Sequence, residues 1–151
     1  KFIYQLIIPI DETIGLHVTL KRRFGLLDVY SYEKMIDGFQ SLFATINSFT
    51  IRYGALNSYE DGLQYYEVIS DDLPLLRSKI LSLLGSKVNT RDPQYEVDDA
   101  KFHVSVETPE KRATMLDLES SLVSVIKLQV GARGEDNKLT QSFILGSYEK
   151  E

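Results

Sequence analysis

The chain has no cysteine and only two histidines among its 151 residues. Without thiols there are no disulfides, no thiolate nucleophile and no cysteine-ligated zinc. That composition suits a reducing compartment, and we expect a cytoplasmic protein. No apolar stretch approaches the roughly 20 residues that span a bilayer, so no membrane association is expected. The opening KFIYQLIIPID is too short and too soon polar for a secretory signal. It lacks an initiator methionine and enters a strand-like pattern at once, which predicts one domain over residues 1–151 belonging to a larger parent polypeptide. A formal charge of −5 argues against coating long duplex nucleic acid. It leaves room for a short anionic ligand in a locally basic groove.

What is present is ordinary for a globular domain: 43% hydrophobic and 26% charged residues, in a chain long enough to bury one sizeable core. Phe2–Ile10 reads as a buried strand, and Leu16–Lys21 as a strand alternating apolar and polar residues. Met35, Ile36, Phe39, Leu42, Phe43 and Ile46 have the spacing of an amphipathic helix after the cap Ser31. Two strands follow around NSYEDG, then a helix from Ser70 to Gly85 with a cap, early acids and a closing glycine. Residues 86–99 are polar and turn-rich and read as a loop. Phe102–Val106 alternates again. A third helix is predicted over residues 108–124, capped by Thr108 with Pro109 at its first position. The last strands flank a turn at GEDNK. Each half thus has a histidine-bearing strand followed by a helix, an α+β arrangement.

Both histidines stand in near-identical surroundings: Leu-His17-Val-Thr19 and Phe-His103-Val-Ser105. On a strand, positions i and i+2 share a face about 7 Å apart, so each histidine and its hydroxyl partner can reach one small anionic group. The alternating apolar residues fix which face is presented. At ordinary residue usage a histidine meets this pattern about one time in a hundred, so its occurrence at both is informative. Two such strands side by side would suit phosphodiester cleavage. One neutral imidazole takes a proton from the attacking hydroxyl, and the other, protonated, delivers one to the departing oxygen. Thr19 and Ser105 would donate to the non-bridging oxygens. Which histidine is base and which is acid stays open. No carboxylate stands at a familiar ligand spacing from either, and no metal or other cofactor is expected. GARGEDN lacks the ending of a phosphate loop. The acidic pairs Asp71–Asp72 and Asp98–Asp99 read as cap and loop.

These paired motifs resemble the 2H phosphoesterase superfamily, whose members include 2′–5′ RNA ligase-like proteins, cyclic nucleotide phosphodiesterases and viral 2′,5′-oligoadenylate phosphodiesterases. The resemblance implies a bilobal fold with two antiparallel sheets lining a central groove and helices packed outside. It also implies metal-independent catalysis by His17 and His103, with phosphate binding by Thr19 and Ser105. Phe102 stands where a proline often precedes the second histidine, and Ser105 where threonine is usual. These departures leave the chemistry intact but put the cellular subfamilies in doubt, and the divergent character, with the look of a domain from a larger protein, resembles the viral members. The implied substrate is a short 2′–5′ oligoadenylate or another small RNA or nucleotide, and the implied role is antagonism of host antiviral RNA decay.

Substrate-binding candidates follow from position. Lys21, Arg22 and Arg23 follow the first tetrad directly, either as a solvated turn or as a phosphate clamp at the groove mouth, with Lys21 on the His17 face. Phe24 is placed either to stack on a base or to fill the core. Arg52, Tyr66 and Tyr148 complete the candidates.

Overall fold

The chain opens with β1 (Phe2–Asp11) and β2 (Leu16–Leu26), paired antiparallel around a tight turn. The Asp11 carboxylate accepts from the Thr13 backbone N–H at 3.1 Å, and Gly15 takes a φ of 75°, a left-handed conformation that costs glycine nothing. The computed structural model describes residues 2–90, 101–132 and 138–146. Helix α1 (Tyr32–Ala44) begins at Ser31, whose hydroxyl accepts from the Lys34 N–H. β3 (Phe49–Ser58) and β4 (Gln64–Ile69) form a hairpin, and α2 (Asp72–Leu84) closes at Gly85. β5 (Val88–Thr90) pairs with the end of β2, inside the segment expected to be loop. The second histidine lies in β6 (His103–Ser105), followed by α3 (Pro109–Leu116), β7 (Ser120–Val123), β8 (Val125–Ala132) and β9 (Lys138–Ile144).

The third helix is shorter than expected. It is capped by Thr108 as predicted but stops at Leu116, and Ser120–Val123 becomes a strand instead. The open edge of β3 supplies the reason. Phe49 to Arg52 pair with Val123 to Ser120, and the ladder gained there, with Val123 buried, outweighs local helix preference.

All nine described strands join one antiparallel sheet in the order β7-β3-β4-β6-β2-β1-β8-β9, with β5 attached to β2. The expectation of two separate sheets is corrected accordingly. There are two four-stranded wings, and they meet at β6 and β2 through a single paired position, Val18 opposite Val104. One face of the curled sheet carries the core: Leu16, Val18, Leu20, Val104 and Val106 cluster with the buried faces of α1 and α2. Phe39, Phe43 and Phe143 meet there with ring centroids 5.4–5.8 Å apart. Each fully buried side chain of this size contributes roughly 1.5–3 kcal/mol. Arg77 of α2 ties the two wings together from the core side. Its Nε donates to the Leu20 carbonyl at 3.1 Å, and its guanidinium lies 3.8 Å from the Phe102 ring centroid. Among the described residues no helix is long and apolar enough to cross a membrane.

Candidate active site

Because Val18 and Val104 point into the core, their neighbours on both strands point the other way, to the opposite face of the sheet. Antiparallel pairing about Val18 and Val104 sets His17 beside Ser105 and Thr19 beside His103. The two histidines then occupy a diagonal, about 7–8 Å apart at the backbone and somewhat closer at Cβ. The four side chains are related by a local two-fold axis through the valine pair, which exchanges His17 with His103 and Thr19 with Ser105. Both histidines are half-buried, Thr19 is half-buried and Ser105 is exposed.

Each imidazole is held by a backbone group two residues upstream. His17 Nδ1 lies 2.8 Å from the Gly15 carbonyl oxygen. A carbonyl can only accept, so Nδ1 carries the proton and Nε2 is left toward the groove. The His103 ring hydrogen-bonds the Lys101 backbone. Burial pushes the His103 pKa below the usual histidine value, and the positive charges of Arg22 and Arg77, with His17, push it the same way against the Lys101 bond. The carboxyl of Glu107 is desolvated, which raises its pKa. Its bond to Lys111 (2.6 Å), with the charges of Lys111 and His17, outweighs that and holds it below the ordinary glutamate value.

The candidate clamp is reorganised by β-bulges. Ile7 pairs with Thr19 but Leu6 with Lys21, and Tyr4 with Phe24, so the alternation read from sequence breaks after Leu20. A bulge re-aims the side chains that follow it. Lys21 therefore turns to the core side, fully buried, with Nζ 3.4 Å from Thr90 Oγ1 and 5.5 Å from the Phe24 ring centroid. It does not line the groove as expected. Arg22 and Arg23 do. Phe24 is likewise core, fully buried with its ring 5.9 Å from that of Tyr4, which rules it out as an exposed stacking platform. Arg52 is exposed on β3, with β4 between it and the histidine strands, and it does not line the groove beside His17. Tyr66 lies opposite Val104 and packs against the core, so it faces away from the histidines. Tyr148 lies outside the described residues.

The aromatic residues that do reach the site are Tyr65 and Tyr59, which sequence reasoning passed over. Tyr65 pairs with Ser105. Tyr59, from the β3–β4 turn, stacks on Tyr65 at 4.3 Å, and both rings meet His103 edge-on at 5.7 and 5.4 Å. The hydroxyls of Tyr59 and Ser105 hydrogen-bond. Choosing Tyr65 over Tyr66 needed the register of β4 on β6, for which the sequence carries no signal.

On the other side of His17 a groove of about 620 Å³ opens over β1, β2 and β8, lined by His17, Thr19, Arg22, Arg23, Lys127 and the amides of Gln5 and Gln129, among others. Lys127 is bonded to Glu12 at 2.6 Å. The arrangement sets two imidazoles and two hydroxyls on one face of adjacent strands, with His17, Thr19, cations and amides lining the groove on one side and aromatic rings against His103 on the other. Among the described residues no three carboxylate or imidazole groups cluster as a metal site.

No protein-family model matches the chain, and no curated protein matches it by sequence. Solved structures do. The chain superposes on a crystal structure of a phosphoesterase with a TM-score of 0.59 at 14% identity, covering 95% of this chain and 97% of that one. The Thermus thermophilus protein TT0787 gives 0.61 at 11% identity, covering 97% and 100%. E. coli LigT complexed with 3′-AMP gives 0.61 at 14% identity, covering 95% and 97%. These neighbours are 2H phosphoesterase family members, and the chain shares their fold over nearly its whole length.

Proposed function

We propose that the protein is a metal-independent phosphodiesterase that cleaves 2′–5′ linked oligoadenylates by two-histidine acid–base catalysis. The observation that carries the reading is the diagonal imidazole pair on one open face, with a hydroxyl beside each ring. His103, held toward its neutral form, is suited to be the base. His17, with Nδ1 tied to the Gly15 carbonyl, is then the acid through Nε2. A ribose 3′-hydroxyl gives its proton to His103 and attacks the adjacent phosphorus. The bond to the 5′-oxygen breaks, and that oxygen takes a proton from His17, leaving a 2′,3′-cyclic phosphate and a free 5′-hydroxyl. Thr19, Ser105 and Arg22 stabilise the charge that builds on the non-bridging oxygens. In an infected cell, such an activity in the cytoplasm would remove the oligoadenylates that activate a host antiviral ribonuclease.

A second reading is opening of 2′,3′-cyclic nucleotide ends, which uses the same groups with water as nucleophile. The occurrence of 3′-AMP on the structurally similar E. coli LigT favours it, because a ribose monophosphate is the kind of product such a reaction leaves. Purified protein offered 2′–5′, 3′–5′ and cyclic substrates in EDTA distinguishes the two. His17→Ala and His103→Ala are each expected to lower turnover by roughly 10²–10⁴-fold while the folded state persists by circular dichroism. Binding of nucleotides with no cleavage of any substrate would make the domain a binding module instead.

A further inference from the structure

On the β1–β8 side of His17, the groove contains polar groups that the two-histidine chemistry leaves unused. Gln5 and Gln129 stand directly opposite each other across β1 and β8, both line the groove, and Gln5 Nε2 donates to Gln129 Oε1 at 2.7 Å in a half-buried bond. An amide carries one carbonyl and one NH₂ group. The mutual bond engages one end of each, so the pair is left with the Gln5 carbonyl as acceptor and the Gln129 NH₂ as donor, side by side. Turning both amides over reverses the order but keeps the complement. Between the amides and the histidines, Ile7 occupies the same face of β1. It is only 5% exposed yet lines the groove and is absent from the main core cluster, so it forms an apolar floor.

Distances fit one nucleoside. Gln5 is two residues along β1 from Ile7, which pairs with Thr19. Two residues of rise and one strand spacing put the Gln5 Cα about 8 Å from that of Thr19. Arg22 and Arg23 lie on the same groove wall, and Lys127 lies opposite Ile7 on β8.

We propose that the Gln5–Gln129 amide pair is a base-reading subsite selective for adenine, resting on the reading of the histidine centre as a nucleotide phosphodiesterase. The adenine 6-amino group donates to the free carbonyl of the pair, N7 accepts from the free NH₂, and the ring lies over Ile7. Glutamine recognises adenine through these two atoms, whereas guanine and hypoxanthine present acceptors at both positions and leave the carbonyl facing another oxygen.

Equilibrium binding of adenosine 3′-monophosphate and inosine 3′-monophosphate to the full chain, by titration calorimetry, tests this without requiring turnover. The wild type is expected to prefer the adenosine ligand by roughly 10- to 100-fold. Gln5→Leu and Gln129→Leu, checked for folding by circular dichroism, are expected to bring the ratio close to one while binding of the inosine ligand stays within a few fold. An equal affinity of the wild type for both ligands overturns the proposal, as does a preference that survives both substitutions. Failure of the phosphodiesterase reading shows separately, as no cleavage of any oligomer despite selective binding.

Discussion

His103 shows how one side chain links the site to the solution around it. Burial is the first cause of its lowered pKa, with Arg22, Arg77 and His17 adding repulsion. Folding therefore disfavours the charged ring, and below about pH 6.5 the unfolded chain binds the proton more readily than the native one. Stability contributed by this group is complete above that pH and falls as the pH drops toward the lowered native value. Urea unfolding at pH 7.5 and pH 5.5 should show the decline, and His103→Gln should reduce it. In the proposed mechanism His103 is the base, and its lowered pKa would place the acid limb of kcat/KM below pH 6.5. Arg22→Met, by removing a repelling cation, should move that limb upward. Gly15 is the other residue with a measurable role of its own. Its φ of 75° aims the carbonyl that holds His17 Nδ1. Gly15→Ala is expected to cost about 1–2 kcal/mol in thermal unfolding, with a fall in kcat as the imidazole loses its tether.

Among the elements, β2 carries the largest difference between pattern and outcome. Strict alternation from Leu16 to Leu20 holds as read, which is why the shared face of His17 and Thr19 was legible. The bulge that follows buries Lys21 and brings Arg22 to the groove. Lys21→Met should leave KM within about twofold, because the methionine keeps the apolar volume of a buried stem, whereas Arg22→Met should raise KM by 10-fold or more. Steady-state kinetics on both variants checks the assignment. A bulge depends on the partner strand, here Leu6 and Ile7 of β1, and period-two reasoning on one strand has no access to it. The same limit explains Tyr65 against Tyr66, since neighbouring tyrosines are told apart only by their pairing with β6. Ser120–Val123 failed differently: its residues read as the end of a helix, and the free edge of β3 converted them. Capping by Ser31 and Thr108 was legible because the interaction is local, spanning three residues.

At the scale of the whole molecule, an acidic protein presents a basic groove. The formal charge is −5, yet Arg22, Arg23 and Lys127 gather beside the histidines. Ligand attraction therefore rests on a local field that salt screens. Raising ionic strength fourfold should increase KM for a ligand contacting through one or two phosphates by about 3- to 7-fold, with kcat nearly constant. The local two-fold axis between the wings has a further consequence. In the proposed mechanism the dyad interchanges acid and base and so has no inherent polarity: a substrate strand would thread it in either sense with the same four groups around phosphorus. What breaks that degeneracy is the scenery: tyrosine rings beyond one imidazole, amides and guanidinium groups beyond the other. On that reading directionality is written in the flanks, and exchanging the flanks, with the histidines untouched, is how it would be reversed.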